Sequence, residues 1–237
     1  PRGPEGQEVS SQDRRVMEQQ QIVVRKMARA LARAGLVTAF GHCSVRLDEK
    51  SFLVCAAKPM GIIKPGEPGT VVSTEAPLPE GVLGEVRMHQ QIYKRRGEIR
   101  AICRFISPEV VTLAALGLTP RARHGQGAHF YPQVPFWPDP ALIRNDPAAV
   151  GVAQTMGQAP AIVVNVNGAV TGAATAQQAV ALSVFLEDAA RVELAALYAG
   201  LADKAPRMNE AQAKARATWE GRIAERMWDH LTANDPE

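Results

Sequence analysis

Apolar residues recur at three- to four-residue spacing through Val16, Val23, Met27, Leu31 and Ala34, the period of one buried helix face. Asp13 stands where a cap belongs and Gly35 where a helix stops, so the pattern predicts a helix over residues 13–34. Two short strand-like runs follow at 44–47 and 52–56. Residues 58–79 are broken by repeated Pro and Gly and predict loop. Val82, Val86, His89 and Tyr93 fall near one face of a helix over 82–95. A short apolar strand at 101–106 runs into Ser107-Pro108, where Ser capping and a first-turn proline open a helix reaching 116. Residues 121–146 read as loop with one strand at 133–137. Beyond them come a helix at 148–156 and a strand at 161–166 that 168–171 continue after a bend. Two long helices follow, at 175–199 and 209–231. Strands and helices alternate without a long linker or an internal repeat, which describes one α/β domain over 13–237. Residues 1–12, rich in Pro, Gly, Gln and Ser, read as a mobile tail.

Composition narrows the class. With 237 residues, 46% of them hydrophobic, the chain can bury a sizeable core, which excludes wholesale disorder. The 27 basic and 24 acidic residues leave a net charge of +3, too balanced for a nucleic-acid footprint. No uncharged apolar run approaches the roughly 18 residues of a membrane span. The first residues lack the apolar centre of a signal peptide. Cys43, Cys55 and Cys103 show no C-x-x-C spacing and read as reduced thiols of a cytoplasmic protein.

Five short motifs carry candidate chemistry. Gly41-His42-Cys43-Ser44-Val45-Arg46 sits at a helix-to-strand turn, where glycine and small polar residues leave amide groups free for an anion; it also reads as a plain tight turn. Glu85, His89 and Tyr93 recur every four residues, so Glu85 either projects into a pocket or pairs with His89 on a surface face. The others are the strand Ala101–Ile106 before Ser107-Pro108, the stretch Val163-Val164-Asn165-Val166-Asn167-Gly168-Ala169-Val170-Thr171-Gly172, and Leu186-Glu187-Asp188-Ala189-Ala190-Arg191 on the long helix.

In this order the five resemble the class II aldolase/adducin family, over about Arg15 to Gly200. The G-H-x-S-x-R turn resembles the branch of decarboxylases that act on hydroxylated aromatic and pyridine carboxylates. The resemblance implies a three-layer α/β/α domain around a mixed, mainly antiparallel sheet. It also implies a homo-oligomer, a tetramer with sites at subunit boundaries. Glu85 takes the place of the family's acid/base glutamate; Gly41, Ser44 and Arg46 match its anion-binding turn, and His89 a histidine of that helix. Family members hold a divalent metal with three histidines, but here the matching positions are Arg104, Ile106 and Asn167. A guanidinium does not ligate and isoleucine has no donor atom. No metal or other cofactor is therefore expected at the family site.

Arg104 stands where a metal ligand would, and its fork suits a carboxylate or a developing oxyanion; it equally suits a salt bridge that only supports the fold. Lys58 offers a second cation, and His42 and Asn167 complete the expected substrate contacts. The first reading is a metal-independent lyase on a carboxylated hydroxyaromatic small molecule. Glu85 is its acid/base and Arg104 its anion-binding group, with decarboxylation ahead of dehydration or retro-aldol cleavage. A non-catalytic assembly protein like the adducin head is the second. A lyase with a relocated metal on His42, His124 and His129 is the third. Phe130, Tyr131, Phe136 and Trp137 line a pocket or fill core, and the last helix, with Trp219, Arg222, Arg226 and Trp228, suits an interface.

Overall fold

A computed structural model describes residues 11–237; most of the expected tail lies outside them. Helix α1 spans Ser11–Arg33, so Ser11 and Gln12 already belong to it. Strands β1 (Gly41–Arg46) and β2 (Ser51–Val54) form the first hairpin. The predicted loop after it contains a strand, β3 (Thr70–Ser73), which pairs antiparallel with β2 and buries Val72. Four residues between prolines and glycines carry too little periodicity to be seen without their partner. The expected helix over 82–95 divides into a 3-10 turn at Gly84–Val86 and α2 (Arg87–Arg95). Glu85 thus lies on a turn ahead of the helix.

Strand β4 (Ala101–Phe105) leads into α3 (Pro108–Ala115). Ser107 is the N-cap residue, yet its hydroxyl does not bond the helix. It donates to Glu187 Oε2 at 2.5 Å, and the Glu187 carboxylate accepts the free amides of Glu109 and Val110. A carboxylate from a distant helix supplies the cap. Strand β5 is short (Phe136–Trp137), and α4 (Asp146–Met156) starts at an Asn145 cap. β6 (Ala161–Val164) and β7 (Ala169–Ala173) form an antiparallel hairpin, where a bent single strand was expected. The turn needs left-handed backbone at Val166 (φ 46°) and Gly168 (φ 84°). A Cβ on Gly168 would lie 2.0 Å from the Phe105 carbonyl oxygen, so glycine is required there. Helix α5 (Ala176–Tyr198) runs as expected from Thr175. The last expected helix is two, α6 (Glu210–Arg216) and α7 (Ile223–Thr232), separated by a break that ends with Arg222 in left-handed conformation.

The strand order is β3-β2-β1-β4-β7-β6-β5, antiparallel except for β5 with β6. Alternation along the strands fills two cores. Cys43, Val45, Cys103 and Phe105 pack with α1, α3 and α5 on one face, while Phe52, Ile102 and Ile162 pack with α2 and α4 on the other. This is the expected three-layer α/β/α domain with a mixed sheet. The same alternation turns His42, Ser44, Arg46 and Arg104 toward the α2 face. These polar residues sit in the centre of the sheet, where each fully buried aliphatic neighbour contributes about 1.5–3 kcal/mol. No described helix is long and apolar enough to cross a membrane.

Candidate active site

The ends of β1, β4 and the β6–β7 hairpin meet the 3-10 turn before α2 around a cavity of about 520 Å³. Gly41 lies in its wall. At φ 147° and with a Cβ position 3.0 Å from the Arg104 carbonyl oxygen and 2.7 Å from Met60, no side chain fits there.

At one side of this cavity three side chains close a triangle. Arg104 Nη2 lies 2.8 Å from Glu85 Oε2 and donates to Asn167 Oδ1 at 2.6 Å; Asn167 Nδ2 donates to Glu85 Oε1 at 2.7 Å. The Ile143 amide adds a bond of 3.1 Å to the same Glu85 oxygen. The Arg104 side chain is 4% exposed and that of Glu85 14%. Burial draws the guanidinium pKa down while Glu85 opposes it, and an arginine keeps its charge under such a pull. Lys58 also lines the cavity, with its ammonium 2.8 Å from Glu67. Arg144 stands exposed at the wall with no described ion pair, and Phe40, Leu83, Ile106 and Leu142 supply apolar surface.

Behind the wall runs a second polar system. His42 Nδ1 lies 2.8 Å from His89 Nε2, His89 Nδ1 lies 2.6 Å from Ser44 Oγ, and Ser44 Oγ lies 2.9 Å from the Tyr93 hydroxyl. All four residues are buried, and only His42 reaches the cavity. Burial first, then His89 and Arg104, hold the His42 pKa well below 6.5; burial and Arg104 bring His89 to about 3. Both rings are neutral near pH 7.

Arg46 does not belong to the cavity. Its guanidinium donates to the carbonyls of Ile99 (2.9 Å), Tyr93 (2.6 Å) and Arg96 (3.1 Å) and sits 4.6 Å from the Tyr93 ring centroid. These contacts leave no fork for an anion. Six of the expected site residues (Gly41, His42, Lys58, Glu85, Arg104 and Asn167) line one cavity, while Ser44, Arg46 and His89 lie behind it.

Residues 23–194 match the family described as Class II Aldolase and Adducin N-terminal domain. The chain belongs to this family. Two curated relatives are 3,4-dihydroxyphthalate decarboxylases. The Arthrobacter keyseri protein is 28% identical over 193 residues, covering 73% of this chain and 76% of the relative. A Terrabacter protein is 26% identical over 205 residues, covering 75% and 81%. Among solved structures, L-fuculose 1-phosphate aldolase from Glaciozyma antarctica superposes with a TM-score of 0.78 at 21% identity, over 96% of this chain and 94% of that one. The last likeness concerns the fold alone.

The side chains where this family's resemblance expects metal ligands do not fit a divalent ion. The Asn167 oxygen already accepts from Arg104, the Asn167 NH2 group points its donor at Glu85, and Ile106 has no ligating atom. Among the described residues no group of three or more His, Cys, Asp or Glu is placed to hold a metal. His42 sits in the buried chain, whereas His129 stacks 4.5 Å from Trp219, so His42, His124 and His129 form no cluster. Phe130 is core, Trp137 packs near α4, and neither lines the cavity. Arg144 was missed by sequence reading: it lies in an irregular loop, where no periodicity marks which side chain turns inward.

Proposed function

We propose that the protein is a decarboxylase of a hydroxylated aromatic carboxylate that works without a metal at the family position. The observation that carries this reading is the Arg104–Asn167–Glu85 triangle on the wall of a cavity with apolar sides. Kinship to two 3,4-dihydroxyphthalate decarboxylases supports the substrate class. Lys58 and Arg144, away from the triangle's hydrogen bonds, suit a second carboxylate that stays on the ring.

In the proposed steps Arg104 and Glu85, 2.8 Å apart, act on one substrate hydroxyl. A substrate hydroxyl ortho or para to the leaving carboxylate enters beside Arg104 and gives its proton to the Glu85 carboxylate. Glu85 returns that proton to the ring carbon bearing the carboxylate, and the oxygen becomes a ring carbonyl. The carbon–carboxylate bond then breaks, carbon dioxide leaves, and its bonding pair restores the aromatic ring and a phenolate. Arg104 stabilises that oxyanion until water protonates it. One proton is taken up overall, Glu85 ends as it began, and the ring serves as its own electron sink.

The test is carbon dioxide release from 3,4-dihydroxyphthalate and related hydroxylated aromatic acids, with Glu85→Gln as control. Turnover that vanishes in a folded Glu85→Gln protein is the expected result. Turnover retained by that variant would remove Glu85 from the mechanism. We place the enzyme in the cytoplasm as a homotetramer with this cavity near a subunit boundary. Phe40 beside the cavity, 68% exposed, supports the boundary, and three buried free thiols suit a reducing compartment. A monomeric mass by light scattering would exclude the shared site.

A further inference from the structure

The buried chain Tyr93–Ser44–His89–His42 has one hydrogen-bond assignment in which every proton inside it is satisfied. Tyr93 is 2% exposed, and the described partner of its hydroxyl is Ser44 Oγ. Burial raises the Tyr93 pKa far enough that the group is an O–H, and a buried O–H needs an acceptor. Tyr93 therefore donates to Ser44. Ser44, already accepting, has its own proton for His89 Nδ1. His89 must then carry its proton on Nε2 and donate it to His42 Nδ1. That leaves His42 protonated on Nε2, one of the buried side-chain atoms with no hydrogen-bond partner among the described residues. The opposite polarity would leave the Tyr93 proton, deep in the core, with nothing to bond.

We propose that this chain holds His42 as a neutral imidazole whose Nε2–H donates to the substrate oxygen that becomes anionic, as a second oxyanion donor beside Arg104. Position favours it: His42 and Arg104 face each other directly in the β1–β4 register and both line the cavity. The titratable and charged groups acting on His42 are His89 from α2 and Arg104 from β4, and both disfavour an imidazolium. A neutral N–H suits this place because it stabilises a developing charge without adding a second cation against Arg104. The imidazole keeps its proton throughout, so the balance of the reaction is unchanged. Ser44, His89 and Tyr93 are positioning residues: they set which nitrogen of His42 carries the proton.

The substrate in this proposal rests on the decarboxylase reading; the tautomer does not. Nitrogen-15 spectroscopy of ring-labelled protein reads the tautomer directly. His42 and His89 are expected as Nε2–H forms that do not titrate between about pH 5.5 and 8. An Nδ1–H His42, or an imidazolium in that range, would overturn the chain. Ser44→Ala removes the donor to His89 Nδ1 and is expected to move His42 away from Nε2–H; an unchanged His42 would also overturn it. With 3,4-dihydroxyphthalate, His42→Leu is expected to lower kcat about 100-fold with little change in KM. His42→Gln, whose amide nitrogen falls near the Nε2 position, should recover at least about tenfold of that loss. Equal losses in both folded variants, or an effect on KM alone, would refute the donor role. If the wild type releases no carbon dioxide while the Nε2–H form is found, the decarboxylase reading and the oxyanion role fall and the chain stands.

Discussion

Arg46 and Arg104 lie one strand apart on the same face of the sheet, both buried, at 6% and 3% exposure. They do opposite things. Arg46 is enclosed by three backbone carbonyls and the face of Tyr93, neutral partners that belong to the fold. Arg104 touches a carboxylate and an amide that themselves form the cavity wall. Arg46 lies outside the cavity with its partners, whereas Arg104 lines it beside Glu85 and Asn167. The two buried arginines therefore differ in whether their partners border a cavity. Those of Arg104 do: Glu85 sits on a short 3-10 turn in the cavity wall.

Substitutions can break this contrast. The largest effect is expected from Arg104→Met, measured as kcat/KM for carbon dioxide release from 3,4-dihydroxyphthalate. Loss of one charge-assisted contact in a desolvated site costs about 2–4 kcal/mol of transition-state stabilisation, a decrease of about 30- to 1000-fold. The protein should stay folded by circular dichroism, because Glu85 keeps the Asn167 and Ile143 donors. Arg46→Met should reverse the pattern. Three carbonyls lose their donor, so denaturant unfolding should show a loss of about 2–4 kcal/mol. Activity per folded molecule should change far less than in Arg104→Met. Comparable activity losses in the two variants would erase the distinction between anchor and site.

A smaller effect comes from a third arginine group, where Arg25, Arg29 and Arg33 of α1 hold Asp235 and Glu237. Burial alone would raise the Asp235 pKa, but the bonds from Arg29 and Arg33 outweigh it and bring it from 3.8 to about 2. The bond from Arg25 leads the cause that takes Glu237 from 4.5 to about 2. Both folded values are depressed, so the unfolded chain binds more protons in between. The stabilisation is present above about pH 4.5 and is lost as pH falls toward 2. Melting temperature against pH should fall less steeply in this window for Asp235→Asn than for wild type; parallel curves would remove the cluster from the acid response.

Local signals explain what was legible in the sequence. Ser-Pro before α3, Thr175 before α5 and the spacing of α1 are written in adjacent residues, so those elements fall close to where they were read. Gly41 and His42, read as a turn before a strand at 44–47, already belong to β1, and its parity puts His42 on one face with Ser44 and Arg46. Parity does not say which of them borders the cavity: His42 lines it, while Ser44 and Arg46 bond residues of α2 and the loop after it. β3 needed its partner β2, and the β6–β7 reversal needed the left-handed turn at Val166 and Gly168. The Glu187 cap on α3 joins residues about eighty positions apart and has no local mark.

In the proposed function the Arg104–Asn167–Glu85 triangle takes over the electrostatic task of a metal. Its most direct test is the rate of carbon dioxide release from 3,4-dihydroxyphthalate by chelator-treated protein whose metal content has been measured. Full activity at far less than one metal per chain, unchanged by added zinc, manganese or iron, is the expected result. Activity that disappears on chelation and returns with about one equivalent of a divalent metal would contradict it.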